Sequence, residues 1–197
     1  LDAAHTDVLN GDLPGIGNLY NPNPVQVLLD YPFGARTDEG RGMMQIVHDV
    51  APRAKLAFRT GFISAGNFAE GIIQLKDSGC DVIVEDINYI TEPYYLNGVV
   101  ANAVNLVKSQ GVSYFAAAGN FGNGSYEGTF TPVAVPTGYT GDAHAFALAS
   151  GATPDDIYQS VTLTPGVYTI GLQWEDNWYS LGQTPGAVND LDIYLTD

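Results

Sequence analysis

Apolar positions in residues 25–122 follow two periodicities in turn. Short runs of β-branched and aliphatic residues, bounded by turn residues, predict strands at residues 25–29, 55–60, 81–88 and 112–118. The segments between these runs carry apolar residues at helical spacing and predict three helices. The first predicted helix has one apolar face, formed by Met43, Ile46, Val47 and Val50.

Residues that favour helix ends stand where these helices should begin and end. Thr37 or Asp38 can cap the first helix and Asn97 the third, because their side-chain oxygens accept hydrogen bonds from first-turn amides. Pro52 should end the first helix, since proline cannot continue the hydrogen-bond ladder. Gly111 follows the third helix, where a left-handed backbone favours glycine.

Strands that alternate with helices predict an α/β fold, in which a parallel sheet carries helices on both faces. Ligands bind such sheets beyond the carboxyl ends of the strands. Residues 86–89 and 119–120 stand at two such ends. Residues 1–24, which are rich in Asn, Pro and Gly, are expected to form a long surface loop.

Helical spacing stops after about Gly122, and β-like patterns with turn signals replace it. The predicted strands there are residues 139–150, 157–163, 167–174 and 191–195, with a turn at Pro165-Gly166. This pattern predicts an antiparallel β-sandwich-like unit. We therefore expect an α/β domain over residues 1–130 and a β-sandwich-like insert or accessory domain over residues 131–197.

Charge and composition exclude several classes of partner. The 197 residues carry a net charge of −15 with only seven Lys and Arg, which argues against nucleic acid and against an anionic membrane surface. No apolar run is long enough for a membrane span, and no signal peptide is visible. The one cysteine, Cys80, excludes an internal disulfide framework.

Three motifs in order resemble the subtilisin-like (subtilase) serine peptidases. The segment from Glu39 through Ala51-Pro52-Arg53-Ala54 resembles the subtilase helix that begins His-Gly-Thr and leads into an Ala-Pro-x-Ala strand. Asp81-Val82-Ile83 resembles the strand that leads to the substrate-binding edge. Ala117-Ala118-Gly119-Asn120 resembles the segment whose Asn supplies the oxyanion hole. The resemblance covers residues 25–122 and implies a subtilisin-like, partial α/β domain and a catalytic role for Asn120.

The chain also departs from that family. Glu39 stands where subtilases have the catalytic His, which is similar to the Glu base of the related sedolisins, although Met43 occupies the position of the sedolisin Asp. No Asp-Ser/Thr-Gly motif stands at the end of a first predicted strand, and the family's Gly-Thr-Ser motif does not occur in this sequence. We therefore expect an internal piece of a longer peptidase, with its catalytic Asp upstream and its Ser downstream. Asp86 is the candidate second carboxylate beside Glu39.

Each candidate has a structural alternative. Asn120 could simply tolerate a left-handed turn, and Glu39 could be a first-turn acid that favours the helix dipole. Asp86 could bond loop amides, while Glu85 should point to the opposite side of the strand and is less favoured. His48 is expected to be structural or solvent-facing.

The resemblance implies a secreted, bacterial serine endopeptidase that acts on peptide or protein substrates. The alternative is a subtilase scaffold that lacks catalysis and serves as a binding or structural module. No cofactor is predicted; a structural calcium ion at Asp190 and Asp192 is compatible with the sequence, but Asp-x-Asp alone lacks the loop of a true calcium site. The sequence leaves the oligomeric state open.

Overall fold

The computed structural model of this protein describes residues 3–34, 37–146 and 156–196. Its described part is a mixed α/β structure with four α-helices and three two-stranded sheets. The helices are α1 (Ala3–Asn10), α2 (Glu39–Val50), α3 (Ala65–Asp77) and α4 (Val99–Ser109). The strands are β1 (Gln26–Leu29), β2 (Ala57–Arg59), β3 (Val82–Glu85), β4 (Ser113–Ala116), β5 (Pro132–Ala134) and β6 (Asp142–His144).

The chain divides into two compact units. The first comprises Leu1–Ala118 and Gly171–Asp197, and the second comprises Gly119–Ile170. The boundary expected near residue 130 falls inside the second unit.

The first unit contains the parallel pairing that the alternation predicted. β1 pairs with β2, and β3 pairs in regular register with β4, from Val82 opposite Ser113 to Glu85 opposite Ala116. The predicted single sheet is not formed, because the two pairs share no ladder among the described residues. A side chain connects their carboxyl ends instead, since the Tyr89 hydroxyl donates to the Gly61 carbonyl at 2.5 Å.

The core of the first unit lies between α3, α4 and one face of the β3–β4 sheet. Its buried members are Phe68, Ala69, Ile72, Ile83, Ala103, Val107 and Val112. The opposite face of the same sheet is uncovered: Val82, Val84 and Phe115 are 60%, 50% and 59% exposed. The prediction of helices on both faces is therefore not met at this sheet.

The packed face of α2 differs from the predicted one. Ile46 and Val50 are exposed, whereas His48 is buried on the other side of the helix. The reason is the close approach of Gly40 to β2, where an added Cβ would lie 2.6 Å from the Phe58 ring. The packed side of α2 thus carries Gly40 and His48, and of the predicted face Met43 and Val47 are half-buried.

Two predicted helix caps are replaced by other contacts. Asp38 precedes α2 without a side-chain cap bond, because its carboxylate accepts from Arg41 at 2.8 Å. Gly98, not Asn97, precedes α4, and the Glu92 carboxylate accepts from the Val100 amide at 3.1 Å. Gly111 has the expected positive φ, at +95°.

The expected loop over residues 1–24 contains a helix. α1 is fixed by an ion pair between Asp7 Oδ2 and Arg41 Nη1 at 2.6 Å. The prediction was wrong because its evidence was composition alone, while the stabilising partner of α1 lies far along the chain, on α2.

The β-sandwich-like prediction is not met in the described residues. In the second unit, β5 pairs with β6 in antiparallel register around the aromatic cluster of Phe130, His144 and Phe146. Residues 156–196 contain no strand, including the described segments predicted at 157–163, 167–174 and 191–195. Val167 is fully exposed there, and a β-prone run forms a strand only when a neighbouring backbone pairs with it. Residues 147–150 of the first predicted strand lie outside the described residues.

Candidate functional site

The carboxyl ends of β3 and β4 form one edge of the β3–β4 sheet. The strands run parallel in register to the pair Glu85 and Ala116, and the Ala117 amide then donates to the Glu85 carbonyl at 3.2 Å. Both strands therefore stop at the same level. Beyond that edge the loop of residues 86–98 leads from β3 into α4.

Adjacent carboxylates at the end of β3 have opposite environments. Asp86 is exposed, whereas Glu85 is half-buried on the side of the strand that carries Ile83 of the core. The Glu85 Oε2 atom accepts a hydrogen bond of 2.5 Å from the Ile87 amide. Burial raises the pKa of Glu85; the Ile87 bond opposes this rise, and the negative charge of Asp86 adds to it.

Tyr114 supplies a second buried polar group at this edge. It pairs with Ile83 in the ladder, so it shares the helix-covered side of the sheet with Glu85. Its hydroxyl is buried and has no hydrogen-bond partner among the described residues. Burial raises the pKa of this hydroxyl, and the Glu85 carboxylate raises it further.

A cavity of about 370 Å³ opens at these two side chains. Its walls are Glu85, Tyr114, Ala116, Phe68 of α3, one side of α4 and the loop of residues 87–98. The cavity lies in the crevice beyond the carboxyl ends of parallel strands, which is where α/β sheets bind ligands.

Hydrogen bonds to the backbone of the loop of residues 86–98 hold this loop at the cavity. Gln173, from the carboxyl-terminal segment of the first unit, donates through Nε2 to the carbonyls of Ile90 and Glu92 at 2.9 and 3.0 Å. Its Oε1 accepts from the Tyr94 amide at 3.0 Å. Gly98 permits the loop to pass close to α4, since an added Cβ would lie 2.7 Å from Pro93 Cδ. Gln173 therefore holds residues 90–94 of the cavity wall.

Of the three predicted catalytic residues, Glu39 and Asp86 belong to the first unit and Asn120 to the second. Glu39 is the first residue of α2 and is exposed, and Met43 is half-buried one turn later. Among the described residues, no hydrogen bond joins the side chains of Glu39 and Asp86. Asn120 is exposed in the second unit, directly after Gly119, whose φ is +75°.

His48 is a structural residue, as the sequence interpretation favoured. It is 2% exposed, and its Nε2 lies 3.2 Å from Asn18 Nδ2. Asn18 also donates to the Leu13 carbonyl at 2.8 Å and accepts from the Asn21 amide at 3.0 Å. His48 therefore anchors the segment between α1 and β1.

Glu85 is the residue that sequence reasoning ranked too low. Strand alternation had placed it correctly opposite Asp86. Parity alone could not decide between the two acids, because Asp86 shares its side with the apolar Val82 and Val84. The packing of α3 and α4 on the side of Ile83 made Glu85 the half-buried one.

No group of three or more His, Cys, Asp or Glu side chains in residues 3–34, 37–146 and 156–196 is arranged to hold a metal ion. Asp190 and Asp192, the sequence candidates for calcium, are both exposed. Within the same ranges, none of the helices combines the length and apolarity that a membrane span requires.

Comparisons with known proteins give no match: the chain is similar to no protein-family model, no curated protein and no solved structure. Function is therefore inferred from the residues and their geometry.

Proposed function

We propose that this chain is the substrate-binding and oxyanion part of a secreted serine-type endopeptidase of the subtilase family. The observation that carries the proposal is the parallel β3–β4 pair connected through α4. Along the sequence, Asp86 directly follows β3 and Gly119-Asn120 come shortly after β4, and this order supports the proposal.

Peptide hydrolysis in this scheme needs a nucleophile, an oxyanion donor and a base. A serine Oγ attacks the scissile carbonyl carbon while Glu39 accepts the hydroxyl proton, and the Asn120 side-chain amide donates to the oxyanion. The proton passes to the departing amine, and water then hydrolyses the acyl-enzyme by the same steps. The sequence has no Gly-Thr-Ser, so the serine comes from a segment outside these 197 residues.

The alternative is a non-catalytic subtilase scaffold that binds peptides or supports a larger secreted protein. The exposure of Glu39 on the first turn of α2 favours it, because an exposed carboxylate there also fits a helix-dipole acid. Burial or a neighbouring acid must raise the pKa of a carboxylate before it is an effective base near neutral pH. The two functions therefore differ in what Glu39 does.

Substitutions in the longer protein that contains this chain test the proposal. Glu39→Gln keeps the shape and removes the base, and we expect kcat/KM for a peptide to fall about a hundredfold or more. Asn120→Ala removes an oxyanion donor and should lower kcat by about a hundred- to a thousandfold. Asp49→Asn, an exposed acid late in α2, is the matched control.

The 197-residue chain alone should hydrolyse no peptide, since it lacks the serine motif. Full activity of the Glu39→Gln protein would leave Glu39 as a helix-start acid. Absence of activity in the longer protein, together with retained peptide binding, would favour the non-catalytic scaffold.

A further inference from the structure

The cavity beyond β3 and β4 has acidic side chains and no basic ones. Glu85 and Glu92 both line it, and no Lys, Arg or His is among its lining residues. The whole chain carries a net charge of −15, so no excess of basic residues elsewhere offsets this field. An anionic ligand is therefore disfavoured, and a cationic one is favoured.

Two carboxylates that line this cavity have unused hydrogen-bonding capacity. Of the two carboxylates, Glu85 uses Oε2 for the Ile87 amide and Glu92 uses Oε2 for the Val100 amide. In the described part of the chain, no hydrogen bond is made to the second oxygen of either carboxylate. The Tyr114 hydroxyl also has no partner there, but it is buried beneath the cavity surface, so the two carboxylates carry the recognition of a ligand.

Aromatic side chains complete the site. Phe68, Tyr89, Tyr94 and Tyr114 all line the cavity. Aromatic faces attract ammonium and guanidinium groups, most strongly where water is excluded. The volume of about 370 Å³ lies within the range of ordinary small-ligand sites.

We propose that this cavity binds the guanidinium or ammonium group of an arginine or lysine side chain in a peptide, paired with Glu85 and Glu92 and stacked on the tyrosine rings. The inference rests on the proposed function, because it names the class of substrate. The loop held by Gln173 keeps the cavity wall in place before the ligand arrives, which lowers the ordering cost of binding.

Binding of a cation is coupled to the protonation of Glu85. Burial raises the pKa of Glu85, and a bound cation lowers it again by favouring the ionised form. The titratable groups around it are Asp86 on its own segment, Tyr114 on β4, and Tyr89, Glu92 and Tyr94 on the loop. The lining residues of α3 and α4 are not titratable. Affinity should therefore increase as the pH rises through the pKa of Glu85.

Calorimetric titration of the 197-residue chain with small ligands tests this proposal without any need for catalysis. We expect Nα-acetyl-L-arginine amide to bind and the neutral Nα-acetyl-L-norleucine amide to bind at least about tenfold more weakly, since a charge-assisted bond is lost. Glu85→Gln should weaken binding of the arginine derivative about tenfold. Asp81→Asn removes an equal charge from an exposed position before β3 and should change nothing.

Equal binding of the arginine and norleucine derivatives, or unchanged affinity in Glu85→Gln, overturns the proposal. If Glu85→Gln does not fold, Glu92→Gln gives the same test, because its remaining carbonyl oxygen can still accept from Val100. Butylguanidine that binds as tightly as the acetylarginine amide would show a site for free small cations and overturn the peptide assignment. Peptidase activity in the longer protein without cation binding here would overturn this inference alone; cation binding without activity would overturn the peptidase function alone.

Discussion

Neighbouring acids at the end of β3 illustrate how strongly a single step along a strand changes a side chain. Glu85 lies on the helix-covered side beside Tyr114, where loss of hydration raises its pKa. Asp86 lies on the exposed side. A carboxylate is therefore partly desolvated at position 85 and remains solvated at position 86.

The raised pKa of Glu85 predicts a pH-dependent stability. Between the ordinary value of 4.5 and the higher folded value, the folded chain binds more protons than the unfolded chain. The free energy of unfolding therefore decreases as the pH rises through this interval. Glu85→Gln should remove this decrease, measured by urea unfolding from roughly pH 4 to 8.

Asp81→Asn is the control for this measurement, because Asp81 is an exposed acid at the start of the same strand. It should keep the pH dependence of the parent chain. A Glu85→Gln variant with the same decrease as the parent would contradict the assignment of the buried carboxyl.

At the scale of elements, α3 is fixed by a buried arginine that comes from the end of β2. Arg59 donates to Gln74 Oε1 at 2.9 Å, to Asn67 Oδ1 at 2.7 Å and to the Thr60 carbonyl at 2.9 Å. Burial lowers the pKa of its guanidinium, and the nearby Glu70 carboxylate partly offsets that effect. Gly71 gives the guanidinium its room, since an added Cβ would lie 2.5 Å from Arg59 Cδ.

Alanine substitutions at two glycines of α3 separate packing from helix propensity. Gly71→Ala should lower the free energy of unfolding by about 1–3 kcal/mol, because the new methyl group displaces Arg59. Gly66→Ala meets no atom within 4 Å and should raise it by up to about 1 kcal/mol through helix propensity. Denaturant unfolding of both variants is the measurement; equal effects would exclude a packing role for Gly71.

At the scale of the whole molecule, the uncovered face of the β3–β4 sheet is the largest departure from an ordinary α/β domain. Val82, Val84 and Phe115 are exposed on that face, and α2 exposes Ile46 and Val50. Contiguous apolar surface of this kind promotes association. The isolated chain should therefore expose hydrophobic surface that other proteins of its size bury.

A double substitution on this face tests that expectation. Val84→Thr combined with Phe115→Thr should lower the fluorescence of a bound hydrophobic dye and reduce concentration-dependent association in sedimentation. Stability should change by only about 0.5 kcal/mol, since both side chains are already exposed. Val161→Thr, at an exposed position in the second unit, is the control and should leave dye binding nearly unchanged. Undiminished dye binding in the double variant would locate the apolar surface elsewhere.

The sequence by itself determined the order of β1 to β4 and α2 to α4, the parallel pairing and the glycine after α4. These features depend on local periodicity and on backbone preferences that act over a few residues. Alternation also separated Glu85 from Asp86, although it did not say which of them would be desolvated.

Only the tertiary structure decided which surfaces are covered. On α2, Gly40 lies close to Phe58, His48 is buried and Ile46 is exposed. The Asp7–Arg41 ion pair joins α2 to a helix in a segment whose composition predicted a loop. β-prone residues near Val167 formed no strand, because no neighbouring backbone paired with them. The cavity also depends on tertiary packing, because Glu85, Tyr114 and the loop held by Gln173 come together only when distant segments pack. Local sequence patterns do not predict such contacts.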